Sequence, residues 1–343
     1  MAKFITRVSV YVALAVLVPG LIIYLFITFY PAYFLGAPTD YYLSEFQYDR
    51  IKNSNYPNII IGDSRGNASV NPKELGSGWI NLSIPGSDLF EGFYTLKQYL
   101  RRNKPDTLIM IYGKDYIEGS SPFFNERTVP YQFVSLSELH DLASLERRYG
   151  LAFHDGKVTG QKDLLLYQFN RELRYSHFPF AYRETFFDGL NTLIQSKSET
   201  EGKAREIEDR LRADLGHLTF GNADSSNATL AAGDVNRHYH PDRINLAFLD
   251  STMGLAAKNN IVTYLIIAPI NRASYVAYKN SIQERSVDAF LNDLAGKYPR
   301  MHLLREPVFL ENSFFGDAFH LNNRGTILYS TNLRRILSKG LSQ

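Results

Sequence analysis

An α/β fold on a mostly parallel sheet, led by one membrane-crossing helix and interrupted by a largely helical insertion, is the architecture this sequence predicts. Three observations predict it. An uncharged apolar run occupies Val8 to Tyr30. Short β-branched or aliphatic runs then alternate with amphipathic stretches, the pattern of βαβ units. Between about Ser121 and Asp242 no comparable apolar strand occurs.

The composition bounds the function classes. The chain has 343 residues, 45% hydrophobic and 21% charged, enough for a substantial core. The formal net charge is +2 without a basic block, so nothing marks a nucleic-acid binder. Aromatic residues make up 14%, which suits a carbohydrate-facing surface and a packed core equally well. The absence of cysteine excludes a disulfide framework, a thiolate nucleophile and a cysteine zinc site.

The N-terminal run is long enough, at ~1.5 Å per residue, to cross a ~30 Å hydrocarbon layer. Lys3 and Arg7 precede it, so the N-terminus is expected inside and everything after Pro31 outside. The competing reading, a cleaved signal peptide, asks for a shorter apolar run and a small-residue cleavage site; here Ala37 is followed by Pro38. The expected organisation is an anchor over 1–32 and a stalk over 33–56 without clear period. An α/β domain then spans 57–118 and 245–343, and an insertion or cap spans 119–244. Tyr24, Tyr30 and Tyr33 are placed at the outer interface, and Pro19-Gly20 is expected to loosen the helix midway.

Taken in order, Asn58–Ile61 reads as a buried strand and Trp79–Leu82 as a second. Leu89–Arg102 is a helix through Phe90, Phe93, Leu96, Tyr99 and Leu100, and Thr107–Tyr112 a continuous apolar strand after the Pro105-Asp106 break. In the insertion, helices are expected near Leu136–Arg148, Lys162–Leu173 and Glu199–Leu215, with a loop over 216–235. Alternation resumes with a helix near Ile244–Lys258, a strand Ile261–Ala268, a helix near Ser281–Lys297, a strand Met301–Leu304 and a last helix Arg324–Leu337.

Ser64 ends the first strand, in N-I-I-I-G-D-S-R. Ligands gather at the carboxyl ends of strands in such sheets, yet a serine there also serves as a turn residue or helix N-cap. A serine nucleophile needs a base, and the base an orienting acid. His140, His154, His177 and His217 lie in the insertion without a partner pattern. His238 and His240 flank Tyr239, a spacing that would set both on one face of a strand, but no third ligand is evident and no metal site or cofactor is expected. His302 reads as structural. His320, in G-D-A-F-H-L-N-N-R-G, has Asp317 three residues before it, and a short turn can set that carboxylate against one imidazole nitrogen while the other faces Ser64.

In this order, G-D-S at the first strand and D-x-x-H before the last helix resemble the SGNH, or GDSL-type, hydrolase superfamily. N-L-S-I-P-G-S-D (Asn81–Asp88) is similar to the family's second block and I-Y-G-K-D (Ile111–Asp115) to its third. The resemblance covers roughly 57–118 and 245–343. It implies a three-layer α/β/α sandwich, a Ser64–His320–Asp317 triad, and an oxyanion hole from the backbone N–H groups of Ser64 and Gly86. Lys114 stands where the family's oxyanion asparagine would be; it either stabilises the oxyanion as a point charge or points to solvent. Arg65 either binds an anionic substrate group or forms a salt bridge with Asp63 or Asp88. The sequons at Asn67, Asn81 and Asn227 read as incidental.

The anchor, the divergent third block and the insertion resemble the DltD-like and alginate-acetylation-like branch. That resemblance implies transfer of an acyl group, acetyl being the expected one, to a cell-envelope or exopolysaccharide hydroxyl, with a multi-pass membrane O-acyltransferase as donor partner. Two alternatives stay open: an anchored carbohydrate esterase or deacetylase with the same triad, and a non-catalytic module that binds glycan.

Overall fold

The computed structural model describes residues 1–36, 38–153, 160–222, 235–305 and 307–340. His154, Asn227 and most of the loop expected over 216–235 lie outside the described residues. In chain order the first elements are α1 (Ala2–Phe29), α2 (Pro31–Phe34), α3 (Pro38–Asn53), β1 (Asn58–Gly62), α4 (Ser64–Ser69), α5 (Pro72–Leu75), β2 (Trp79–Asn81), α6 (Leu89–Tyr99) and β3 (Thr107–Tyr112). Then come α7 (Asp115–Glu118), α8 (Leu136–Tyr149), α9 (Gln161–Tyr175), α10 (Phe186–Ala213) and α11 (Arg243–Lys258). The chain closes with β4 (Val262–Ile267), β5 (Ile270–Asn271), α12 (Arg272–Tyr278), α13 (Ile282–Lys297), β6 (Met301–Leu304), β7 (Phe309–Leu310) and α14 (Asn323–Gly340).

These elements form two units, Met1–Phe46 with Pro122–Ile207, and Gln47–Ser121 with Glu208–Gln343. The second carries a five-stranded sheet of order β2-β1-β3-β4-β6, parallel throughout. A two-stranded parallel pair, β5-β7, stands apart from it. Every residue of β3 is buried, as are Ile59, Ile60 and Ile61 of β1. A strand buried on both faces needs a continuous apolar run rather than alternation. Ile60, Ile109, Ile111, Tyr264 and Ile266 pack with Tyr329, Leu333 and Leu337 of α14. Ile59, Ile61, Leu108, Met110 and Leu265, at the alternate positions, are buried as well. Helices α6 and α11 meet through Phe90 and Phe248, whose rings cross edge-on with centroids 4.9 Å apart.

The strand order reverses direction between β1 and β3, the place where open α/β sheets hold ligands beyond the strands' carboxyl ends. Gly62 makes that close: a Cβ there would collide with the Ile111 carbonyl.

In the first unit, α1 is long and apolar enough to cross a membrane, with Pro19 inside it. The expected stalk is instead largely helical, as α2 and α3. Proline starts each helix, where its missing N–H costs nothing. Tyr33 does not sit at an interface as expected. It is buried with Ile27, Phe34, Leu35 and Tyr182 in a cluster that also holds Phe186 and Leu190 of α10. The expected insertion helices are present; α10 is kinked at Ser196, so the helix expected near Glu199–Leu215 is its second half and the half over 186–195 was not expected. His238 and His240 lie outside any strand, their ring centroids 6.3 Å apart. His302 is on β6, stacked on Tyr264 at 4.8 Å.

Candidate active site

The site is assembled where β1 and β3 end. Asp63, fully buried after β1, is the N-cap of α4: its carboxylate accepts from the backbone N–H of Arg65 at 2.8 Å and of Gly66 at 3.2 Å. The same carboxylate accepts from Gly113 N–H, beyond β3, at 2.9 Å. One side chain thus locks the two strand ends together. Burial pushes its carboxyl above the ordinary range, against the opposing pull of Arg65 and these N–H donors.

Ser64 is therefore the first residue of α4 and not its cap. Its Oγ lies 2.7 Å from His320 Nε2. His320 Nδ1 lies 2.8 Å and 3.0 Å from the two carboxylate oxygens of Asp317. Asp317 Oδ1 also accepts the backbone N–H groups of Phe319 and His320, both at 2.8 Å. Burial would raise the Asp317 carboxyl, but the imidazole and these two N–H groups outweigh it and hold it below the usual carboxylate range. An ionised carboxylate on Nδ1 selects the tautomer that leaves Nε2 free to accept the serine proton.

The imidazole is held from several directions. Phe315 and Leu321 form an antiparallel bridge, and Gly316 N–H donates to the His320 carbonyl at 2.9 Å. Phe220 lies beside the ring with centroids 4.9 Å apart. Thr326 Oγ1 on α14 donates to the Ala68 carbonyl of α4 at 2.8 Å, and Asn71 N–H donates to Ser330 Oγ at 3.0 Å. His217, which the sequence leaves without a role, sets Nε2 3.1 Å from the same Ala68 carbonyl. The helix bearing the serine and the helix following the histidine are thus fastened to each other.

Gly86 adopts φ +69°, a conformation glycine takes without steric cost. Its carbonyl accepts from Ser121 Oγ at 2.5 Å. Neither Gly86 N–H nor Ser64 N–H meets an acceptor among the described residues. Asp88 accepts the N–H groups of Glu91 and Ser121, and burial with the neighbouring Glu91 carboxyl raises its pKa.

Arg65 pairs with neither Asp63 nor Asp88. Its guanidinium donates two parallel hydrogen bonds to Asp115, at 2.5 and 2.8 Å. Gly113 leaves room for it, since a Cβ there would strike the guanidinium. Lys114 does not point to solvent. Its ammonium donates to Gln283 Oε1 at 2.5 Å and lies 3.8 Å from the Tyr278 ring centre. Tyr278 and Gln283 offer a π face and a carbonyl to this partly desolvated cation.

The sequence pointed to Ser64, Asp317 and His320, and the structure brings them within hydrogen-bonding distance. It did not expose Asp115, Gln283, Tyr278 or Phe220. Asp63 had a signal, since an aspartate just after a strand and just before a helix is an N-cap. Asn67 and Asn81 are fully buried and bonded to backbone carbonyls. Among the described residues no group of three or more metal-ligating side chains occurs. No family model matches the chain, and no curated protein matches it.

Proposed function

We propose that this protein is a membrane-anchored serine acyltransferase of the SGNH type, a three-layer α/β/α enzyme. It passes an acyl group through an acyl-serine to a hydroxyl of a cell-envelope polysaccharide or exopolysaccharide. One observation carries the reading: the unbroken path from Asp317 through His320 to Ser64, beside two backbone N–H groups without acceptors.

His320 takes the Ser64 proton as Oγ bonds to the acyl carbon, and returns it to the donor's leaving group as that bond breaks. The acceptor hydroxyl then gives its proton to His320, attacks the acyl carbon and releases Ser64. Asp317 orients the imidazole and stabilises its charged form. Ser64 and Gly86 N–H groups receive the oxyanion. Lys114, engaged with Gln283 and Tyr278, belongs to a wall of the site, and Arg65 braces the loop after β3 through Asp115. The exposed Phe319 ring offers an apolar platform for a sugar face.

Lys3 and Arg7 in the first two turns of α1 favour a cytoplasmic N-terminus and an extracytoplasmic enzyme in the inner membrane. There a multi-pass membrane O-acyltransferase would supply the acyl group.

A serine-directed phosphonate should label Ser64, located by peptide mapping. Ser64→Ala should lower acyl turnover roughly 10⁴-fold or more. Acyl transfer unaffected by Ser64→Ala would overturn the reading. An acyl donor supplied with and without glycan separates transfer from hydrolysis: acyl-glycan should form faster than free acid, and the reverse would make the protein an esterase.

A further inference from the structure

A cavity of about 570 Å³ lies in the unit that holds the triad. Its wall includes Arg65, which follows the proposed nucleophile, and Ala318 and Phe319, which lie between Asp317 and His320. It is thus lined by chain neighbours of the serine and of the imidazole. From there it extends past the carboxyl end of β4 toward α13.

The chemistry of the wall decides what fits. Ile267, Ala268, Ile270, Val287, Leu291 and Val308 supply aliphatic surface. Most charged residues of the wall have partners in the structure. Arg65 is bound by Asp115 at 2.5 Å, Arg237 by Glu118 at 2.6 Å, and Arg305 lies 4.0 Å from Asp288. Glu284 accepts the Asn280 N–H, and Lys114 is held by Gln283 and Tyr278. The cations Arg65, Lys114, Arg237 and Arg305 face the carboxylates Asp115, Glu118, Glu284 and Asp288 in the same wall, so its charge balance favours neither sign of ligand, whereas an apolar chain would only displace water. Size points the same way. At roughly 30 Å³ for a group the size of a water molecule, an acetyl methyl fills a small corner, while a decanoyl chain fills roughly half.

We infer that this cavity is the acyl pocket and that the acyl group is an uncharged aliphatic chain of medium length rather than acetyl. The inference rests on the acyl-serine reading above. The ester carbon sits at Ser64, and the chain runs past Arg65 and Phe319 against Ile270, Val287, Leu291 and Val308.

The test uses the full chain in detergent with para-nitrophenyl esters of acetate, butyrate, octanoate and decanoate. The octanoyl or decanoyl ester should exceed the acetyl ester in kcat/KM by about tenfold or more. Ile270→Phe and Val308→Trp, both at partly exposed wall positions, should each lower the octanoyl-to-acetyl ratio by about tenfold or more. The ratio separates a filled pocket from a general loss of fold, which lowers both rates together. Acetyl preference in the unmodified protein, or an unchanged ratio in both variants, overturns the pocket assignment while phosphonate labelling of Ser64 still upholds the acyl-serine. No labelling and no turnover at any chain length overturns both.

Discussion

Two side chains carry the residue-scale lesson. A serine at the end of a buried strand reads from sequence as a cap or as a nucleophile. Asp63 removes the cap reading, because it takes the cap itself while the Ser64 hydroxyl meets His320. Lys114 reads as an oxyanion donor or a solvated charge, yet Tyr278 and Gln283, more than 160 positions away, receive its ammonium. Burial lowers that ammonium from an ordinary 10.5 to about 8, more than the neighbouring Asp115 and Glu118 charges restore. The sign of the linkage follows. Between pH 8 and 10.5 the unfolded chain holds a proton that the folded chain has released, so stability gained from this group rises with pH across that window. Lys114→Met should remove the rise. Urea midpoints at several pH values should show the unmodified protein gaining on the variant between those limits; a constant difference would contradict the assigned burial.

Among the elements, the most legible were the buried strands. β3 begins and ends where the sequence placed it, because a continuous apolar run bounded by breakers admits few other readings; β6 also keeps its expected bounds, though only Met301 of it is buried. β5, α12 and β7 escaped notice: two-residue strands carry no period, and their pairing brings together segments far apart in sequence. The missed first half of α10 has a specific cause. Gly189 lowers helix propensity there, but a Cβ at that position would meet the Tyr33 carbonyl and the Phe34 ring, so packing demands the glycine. At α4 the stabilising element is its cap. Asp63→Ala would strand the N–H groups of Arg65, Gly66 and Gly113, at ~1–3 kcal/mol for a buried donor left unpaired. Chemical denaturation should register a loss of at least ~2 kcal/mol, and Asp63→Asn, which keeps one acceptor oxygen, should lose less. Equal stability of Asp63→Ala and the unmodified chain would refute the strand-locking role.

For the whole molecule, α1 is more than a tether. Ile27 is fully buried and Phe26 partly so, against Phe34, Tyr182 and Phe186. A chain starting at Pro31 should therefore expose the first unit to attack. Limited proteolysis should cut within 122–207 much faster than in the full chain, while the parallel-sheet unit keeps its resistance. Equal cleavage rates would reduce α1 to an anchor alone. The sequence by itself determined the apolar N-terminal helix, the parallel sheet and the Asp317–His320 pair, because each is written in local periodicity or a short spacing; Ser64 was joined to that pair by the order of motifs that resembles the SGNH layout. Only the tertiary structure decided where Arg65 and Lys114 point, that Ser64 meets His320, and that a partly aliphatic cavity is lined by Arg65 and Phe319. Those outcomes depend on groups brought together from distant segments, and burial, pairing and packing between them have no local signature in the chain.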